Sequence, residues 1–388
     1  VETIELISIV ERGEDSTTQF KENVTNPESL AAEIVAFSNT KGGRIFIGVT
    51  DGGAIRGLSG NDVRRINQLL ANTSTNSVRP SVNPLTENIM TTDGIVLLVT
   101  IKEGVSKPYT DNNGVIWVKA GSDKRRVTAR EEMQRMFQSS SLVYADEIPV
   151  DGATEHDIDL EHLKRFHEAF YKVELEKELE KSGISLNQLL CNLMLAKGNN
   201  LNLAGLLLFG DKPQRYKPMF SVKVISFVGN DPAVTLYRDS ADIEGCLRDM
   251  YKGTISFLTR NLKAVQNGKG FNTQGDLEIP LSALEELVVN MLVHRDYFIS
   301  APCRVMIFDN RVELVSPGAL PNSITIQNII KGVSVSRNPI IVSFATKDDE
   351  LPYRGLGTGI LRALADIPDL ELESDTERNL FIVRIPRK

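Results

Sequence analysis

The sequence predicts an α+β protein of more than one domain, and three observations carry that expectation. A helix-period run, Leu30, Ala31, Ile34, Val35 and Phe37, feeds directly into the alternating, β-branched Arg44-Ile45-Phe46-Ile47-Gly48-Val49. Residues 143–157 are acidic, turn-rich and weakly periodic, as a linker would be. The chain has 388 residues, two or three domains at about 100 to 200 residues each.

Composition bounds the function. Lys+Arg number 44 against 51 Asp+Glu, a net charge of −7, with 41% hydrophobic residues, so the chain can build sizeable cores. Any nucleic-acid contact must then come from a local basic patch. Cys191, Cys246 and Cys303 are too scattered for a disulfide framework or a paired-cysteine zinc site. The longest apolar runs, such as Ile95 to Ile101, fall well short of the ~18 residues of a membrane span, and no basic-then-apolar leader opens the chain. A cytoplasmic protein is the expectation. The chain opens on Val1, so further sequence beyond either end remains open.

The elements follow in order. Asn26-Pro27-Glu28-Ser29 is a helix start, and the helix should end near Lys41-Gly42-Gly43. After the strand at 44–49, Asp51-Gly52-Gly53 supplies a turn. A polar helix is expected at 61–76, then strands at 82–89, demoted to an edge by Pro84, and 94–101. Residues 109–118 read as a second hairpin and 129–137 as a closing helix. Beyond the linker come helices at 159–180 and 185–196, a strand at 220–227 and a long helix at 241–266. The last third offers a helix at 281–293, strands at 303–308 and 311–315, a glycine-rich helix start and a final strand at 380–385. The predicted organisation is therefore a domain over 1–140, a linker over 141–158, a middle α+β region over 159–270 and a last domain over 271–388.

Two segments carry chemistry in the last domain. On a helix Glu286, Asn290 and His294 recur every four residues and line one face. A carboxylate there could orient water, and an amide oxygen could ligate Mg²⁺, which is commonly shared with phosphates; an amphipathic helix with polar outer positions fits the same spacing. Gly355-Leu356-Gly357-Thr358-Gly359, just before a helical segment, would let backbone N–H groups approach phosphates. In the first domain Trp117, Lys119, Lys124, Arg125, Arg126 and Arg130 put several cations beside one indole, suited to phosphate contact, though a solvated loop would look alike.

These segments carry two resemblances. Glu14 to Glu22, Ala36 to Gly43, Arg44 to Val49, Asp51-Gly52-Gly53 and Gly57-Leu58 closely resemble the Schlafen AlbA-like domain, across about residues 5–140. That likeness implies nucleic-acid binding, most plainly of DNA. Some relatives cut RNA with a three-carboxylate metal site, which by position would be Glu14, residue 19 and Asp51; here residue 19 is Gln19, and an amide lacks the charge to hold a divalent metal. The helix of Glu286 and Asn290 and the Gly355 loop resemble the GHKL ATP-binding fold of gyrase, Hsp90, histidine kinases and MutL, an α/β sandwich. With His294-Arg295-Asp296-Tyr297, Ser316 to Pro321 and Ser336 to Pro339 they resemble its divergent form in bacterial transcriptional regulators labelled as related to an ATP-dependent DNA helicase, over roughly residues 200–388.

By that resemblance Glu286 is the catalytic base, Asn290 the Mg²⁺ ligand, Gly355, Gly357 and Gly359 the lid glycines at the phosphates of ATP, and Ser316 and Gly318 the base-recognition turn. Ser316 stands where the wider fold carries an adenine-reading Asp, so binding is expected ahead of efficient hydrolysis, with a weak ATPase at most. No G-x-x-x-x-G-K-[ST] phosphate loop occurs, and helicase action is not expected. The expectation is a transcriptional regulator that binds nucleic acid at one end and nucleotide at the other, with a homodimer plausible by analogy. The competing readings are a metal-dependent ribonuclease using Glu14 and Asp51, and an inactive interaction module.

Overall fold

The computed structural model describes residues 3–139, 143–265, 275–321 and 324–387. The chain forms two compact units, Val1–Val143 and Tyr144–Lys388. The boundaries expected at 140/141 and 270/271 fall outside the described residues. Among the described residues no helix is long and apolar enough to cross a membrane.

The first unit is a four-stranded sheet between helices. Its elements are α1 (Thr3–Arg12), β1 (Thr18–Lys21), α2 (Pro27–Asn39), β2 (Gly43–Ile47), α3 (Gly60–Asn76), β3 (Leu85–Thr91) and β4 (Gly94–Ile101), with strand order β1-β2-β4-β3. β1 runs parallel to β2, and the other pairs are antiparallel. Alternation decides which core each residue joins. Ile45, Ile47, Leu97, Val99 and Ile101 pack with α2 and α3, while Phe46, Val96 and Leu98 pack with Leu6 and Ile9 of α1 and with Phe20. α2 starts where its sequence says it should: Asn26 Oδ1 accepts from Glu28 N at 2.8 Å and Ser29 N at 3.1 Å, and Pro27 takes the first helical position.

At the end of α2, Asn39 ties the following segment to the helix. It accepts from Tyr109 N at 2.7 Å and donates to the carbonyls of Tyr109 and Trp117, both at 2.9 Å. The hairpin expected at 109–118 is displaced in consequence. Thr110 and Asp111 pair instead with Val78 and Arg79, and the hairpin is β5 (Trp117–Ala120) with β6 (Asp123–Arg126), followed by α4 (Arg130–Ser139). Asp111 bonds Asn113 N, Val115 N and Trp117 Nε1, so its side chain organises a turn where the strand ladder was expected.

The second unit is built on a six-stranded mixed sheet. Its elements here are α5 (Leu160–Tyr171), α6 (Leu203–Phe209), β7 (Val222–Phe227), β8 (Tyr237–Ile243), α7 (Leu247–Asn261), α8 (Leu281–Val293), β9 (Cys303–Ile307), β10 (Arg311–Pro317), α9 (Pro339–Ala345), α10 (Gly359–Asp366), β11 (Glu371–Asp375) and β12 (Leu380–Pro386). The order is β8-β7-β9-β10-β12-β11, with β7 parallel to β9 and the rest antiparallel. The parallel pair, Val222 opposite Cys303, joins residues from the expected middle region to those of the expected last domain in one sheet. The stretch read as a linker belongs to this unit from residue 144 onward: Asp146 accepts from Ile340 N and Ile341 N, and Val150 N donates to Leu201 O. The helix expected at 241–266 is shorter, because Tyr237–Ile243 is a strand and α7 begins only at Leu247.

Candidate functional site

The last core positions the site. α8 buries Leu284, Leu287, Val288, Val289, Leu292 and Val293, so the intervening Glu286, Asn290 and His294 share a stripe. All three line one pocket with Ser316 and Gly318 from the end of β10 and with Gly355, Gly357 and Gly359 before α10. Residues expected from three separated segments thus meet around a cavity of about 130 Å³. Its apolar walls include Met291, Leu314, Leu320, Phe381 and Val383.

Close packing sets the glycines. Gly355 and Gly357 have φ of +67° and +69°, and a Cβ on Gly357 would stand 2.4 Å from the Gly332 carbonyl. The loop is thereby seated against Gly332 and Ser334, and residues 333–335 also line the pocket. A Cβ on Gly359 would stand 1.7 Å from Glu286 Oε1. Thr358 gives α10 no side-chain cap, which leaves first-turn N–H groups for an anion.

Glu286 is buried and heavily engaged. Its Oε1 accepts from Asn290 Nδ2 at 2.8 Å, and its Oε2 is ion-paired with Arg362, which also donates to Thr358 Oγ1 at 3.0 Å. Because Asn290 spends its NH₂ on Glu286, its amide oxygen is the atom left to coordinate, and it fits Mg²⁺. His294 Nε2 shares a 2.8 Å hydrogen bond with the Tyr353 hydroxyl. Burial, aided by the Arg337 charge, pushes the His294 pKa down to about 4, and burial with the Glu286 charge pushes Tyr353 up to about 12. Ser316 Oγ donates to Met291 O at 3.2 Å. Sequence reasoning missed three cations at this pocket, Arg337, Arg354 and Arg362. A signal existed for the last: a cation in the first turn of a helix opposes the dipole and calls for a compensating carboxylate.

In the first unit the expected basic cluster divides. Lys119 is a correction: its side chain is 1% exposed, so it cannot reach a phosphate. Its ammonium donates to Gln19 Oε1 at 2.6 Å and to Ser122 O at 2.5 Å, 3.8 Å from Glu33 Oε2, and burial lowers its pKa against the pull of Glu33 and Glu14. Lys124 pairs with Glu33 at 2.6 Å, and Arg125 pairs with Glu132 through two bonds. Arg126 stacks over the Trp117 ring at 5.0 Å, and it and Arg130 are exposed. The ribonuclease residues do not fit a metal. Glu14 Oε1 accepts from Gln19 Nε2 and Phe20 N, both at 2.7 Å, so the amide bridges Glu14 to the Lys119 ammonium. Asp51 lies exposed in its turn. Among the described residues no group of three His, Cys, Asp or Glu side chains could hold a metal ion.

Comparison with known proteins names the two classes. Residues 14–128 match the family described as Schlafen, AlbA_2, and residues 300–384 match that described as "Putative ATP-dependent DNA helicase recG C-terminal". Residues 134–223 match a domain of unknown function. The chain therefore carries a Schlafen AlbA_2 domain at its N-terminus followed by a RecG-C-terminal-like, ATPase-type domain. No curated protein matches it. Among solved structures, the DIP2311 protein from Corynebacterium diphtheriae is 17% identical with a TM-score of 0.45, covering 96% of this chain, which spans 65% of that protein's chain. The N-terminal domain of the putative ATP-dependent DNA helicase RecG-related protein from Nitrosomonas europaea is 17% identical with a TM-score of 0.25, over 34% of this chain and 95% of that one. Glu286 and Asn290 precede the second matched segment.

Proposed function

We propose that the second unit binds a purine nucleoside triphosphate with Mg²⁺ and that the first binds DNA or RNA, the chain acting as a nucleotide-responsive regulator of transcription. One observation carries this: Glu286, Asn290, Ser316, Gly318 and the three loop glycines converge on a pocket that, among the described residues, is lined by three arginines and a single carboxylate, a balance that favours a polyanion. In this reading Mg²⁺ neutralises phosphate charge and is held by Asn290. The α10 N-terminus, Arg354 and Arg362 take the phosphates, and Glu286 positions water once Arg362 has turned to the ligand. Nucleic acid would meet Arg126 stacked on Trp117, with Arg125 and Arg130 beside it.

Calorimetric titration of Mg²⁺-nucleotide into the intact chain and into Asn290→Ala tests the reading. Binding weakened about tenfold or more in the variant is expected, and absence of heat and of thermal shift in the intact chain would refute it. Glu286→Gln should bind nucleotide yet show no hydrolysis. If nucleotide shifts the population of a state that binds nucleic acid, DNA affinity will differ with and without saturating nucleotide; equal affinities would remove the coupling.

A further inference from the structure

The pocket has two chemically different ends. Glu286 and His294 lie eight residues apart along α8 and its cap, about 12 Å at 1.5 Å per residue. At the Glu286 end stand Arg362, Gly359 and the uncapped turn of α10, which suit phosphates. At the His294 end stand Ser316, Gly318 and Arg337. The Arg337 guanidinium lies so near Gly318 that a Cβ there would meet it at 2.6 Å, and Asp296 N donates to Pro317 O at 2.9 Å, tying this turn to the segment after α8.

The donors and acceptors at the second end are unequal. Adenine presents a 6-amino donor beside N7, whereas a 6-oxopurine presents two acceptors, O6 and N7, that match a guanidinium fork. Among the described residues Glu286 is the one carboxylate lining the pocket, and it sits at the other end, tied to Arg362. Arg337 gives one N–H to Ala319 O and, having no acceptor, can offer only donors with the rest. Ser316 gives its proton to Met291 O, so it keeps only a neutral hydroxyl oxygen as acceptor, a weaker partner for a 6-amino group than a carboxylate and set beside the charged fork of Arg337. We propose that this pocket selects a 6-oxopurine nucleotide, of guanine or hypoxanthine, over adenine, with Arg337 reading O6 and N7. The proposal rests on the nucleotide reading above.

Titration of Mg²⁺ complexes of GTP, ITP and ATP into the intact chain tests it, with Arg337→Gln, Arg337→Lys and Asn290→Ala alongside. GTP and ITP, which share O6 and N7, should bind about tenfold or more tighter than ATP. Both Arg337 variants should lose that discrimination, GTP and ITP losing more affinity than ATP, because a lysine keeps the charge but not the fork and a glutamine keeps neither. Asn290→Ala should weaken all three nucleotides alike. ATP binding at least as tightly as GTP, still weakened by Asn290→Ala, would overturn the base assignment and leave the nucleotide reading standing. An equal loss for all three nucleotides in both Arg337 variants would mean a structural role and would overturn it too. No binding of any nucleotide would overturn both.

Discussion

Gly359 has no side chain because the Glu286 carboxylate occupies the space one would need. Gly359→Ala should therefore push Glu286 off Arg362 and Asn290, costing about 1–3 kcal/mol as overpacking and weakening nucleotide binding, read by thermal melting and calorimetry. His294 is the second residue whose behaviour follows from enclosure. Its pKa of about 4 lies below the ordinary 6.5, so its ring contributes stability above pH 6.5 that is lost as pH falls from 6.5 towards 4. NMR titration should show the His294 ring neutral at pH 5.5, with its resonances missing in His294→Asn; a midpoint near 6.5 would contradict the enclosure described. Lys119 teaches the opposite lesson for sequence reading. Its neighbours Lys124, Arg125 and Arg126 made it look like one cation of a patch, but strand alternation on β5 turns it inward, and its partners Gln19 and Glu33 lie about 100 and 86 residues away. No local pattern could have separated it from the rest.

Elements were legible where their signals are local. The cap at Asn26, the alternation of β2 and β4, and the four-residue recurrence on α8 each sit within a dozen residues, and each element formed as read. β8 was not legible. Tyr-Arg-Asp-Ser-Ala-Asp-Ile lacks apolar alternation because it is an edge strand facing solvent, held by cross-element ion pairs, Lys223 to Asp242, Arg238 to Asp309 and Arg260 to Asp239. The pocket arginines were missed for a related reason, since they arrive from separate segments, Arg337 and Arg354 from loops and Arg362 from α10. α9 shows how an element can depend on a distant residue: its first N–H groups are satisfied by Asp146 at 2.8 and 3.0 Å. Asp146→Ala should cost about 1–2 kcal/mol by leaving them unpaired, and Asp146→Asn much less, in denaturant titrations at pH 7. Burial raises the Asp146 pKa from 3.8 to about 6. The proton is thus held more tightly in the folded state, and the stabilisation this brings is full below pH 3.8 and lost as pH rises through 6. The intact chain should lose ground to Asp146→Asn across that window.

At the scale of the molecule, a net charge of −7 leaves nucleic-acid binding to a small basic face. Loss of both Arg126 and Arg130 should reduce the slope of log affinity against log salt by about 2, with little change in sequence preference, measured by DNA titration across salt concentrations. An unchanged slope would place the interface elsewhere. The presence of the two domain types was legible from the two resemblances, whereas the single sheet spanning residues 222 to 386 was not, because its parallel β7–β9 pair joins strands about 80 residues apart. The Glu14–Gln19–Lys119 chain has a consequence for how the first unit meets its surroundings. A positive charge that other frameworks would borrow from the medium is here part of the polypeptide, bonded to its own backbone. Being part of the chain, that charge cannot be stripped by a chelator, diluted away or exchanged for a heavier ion.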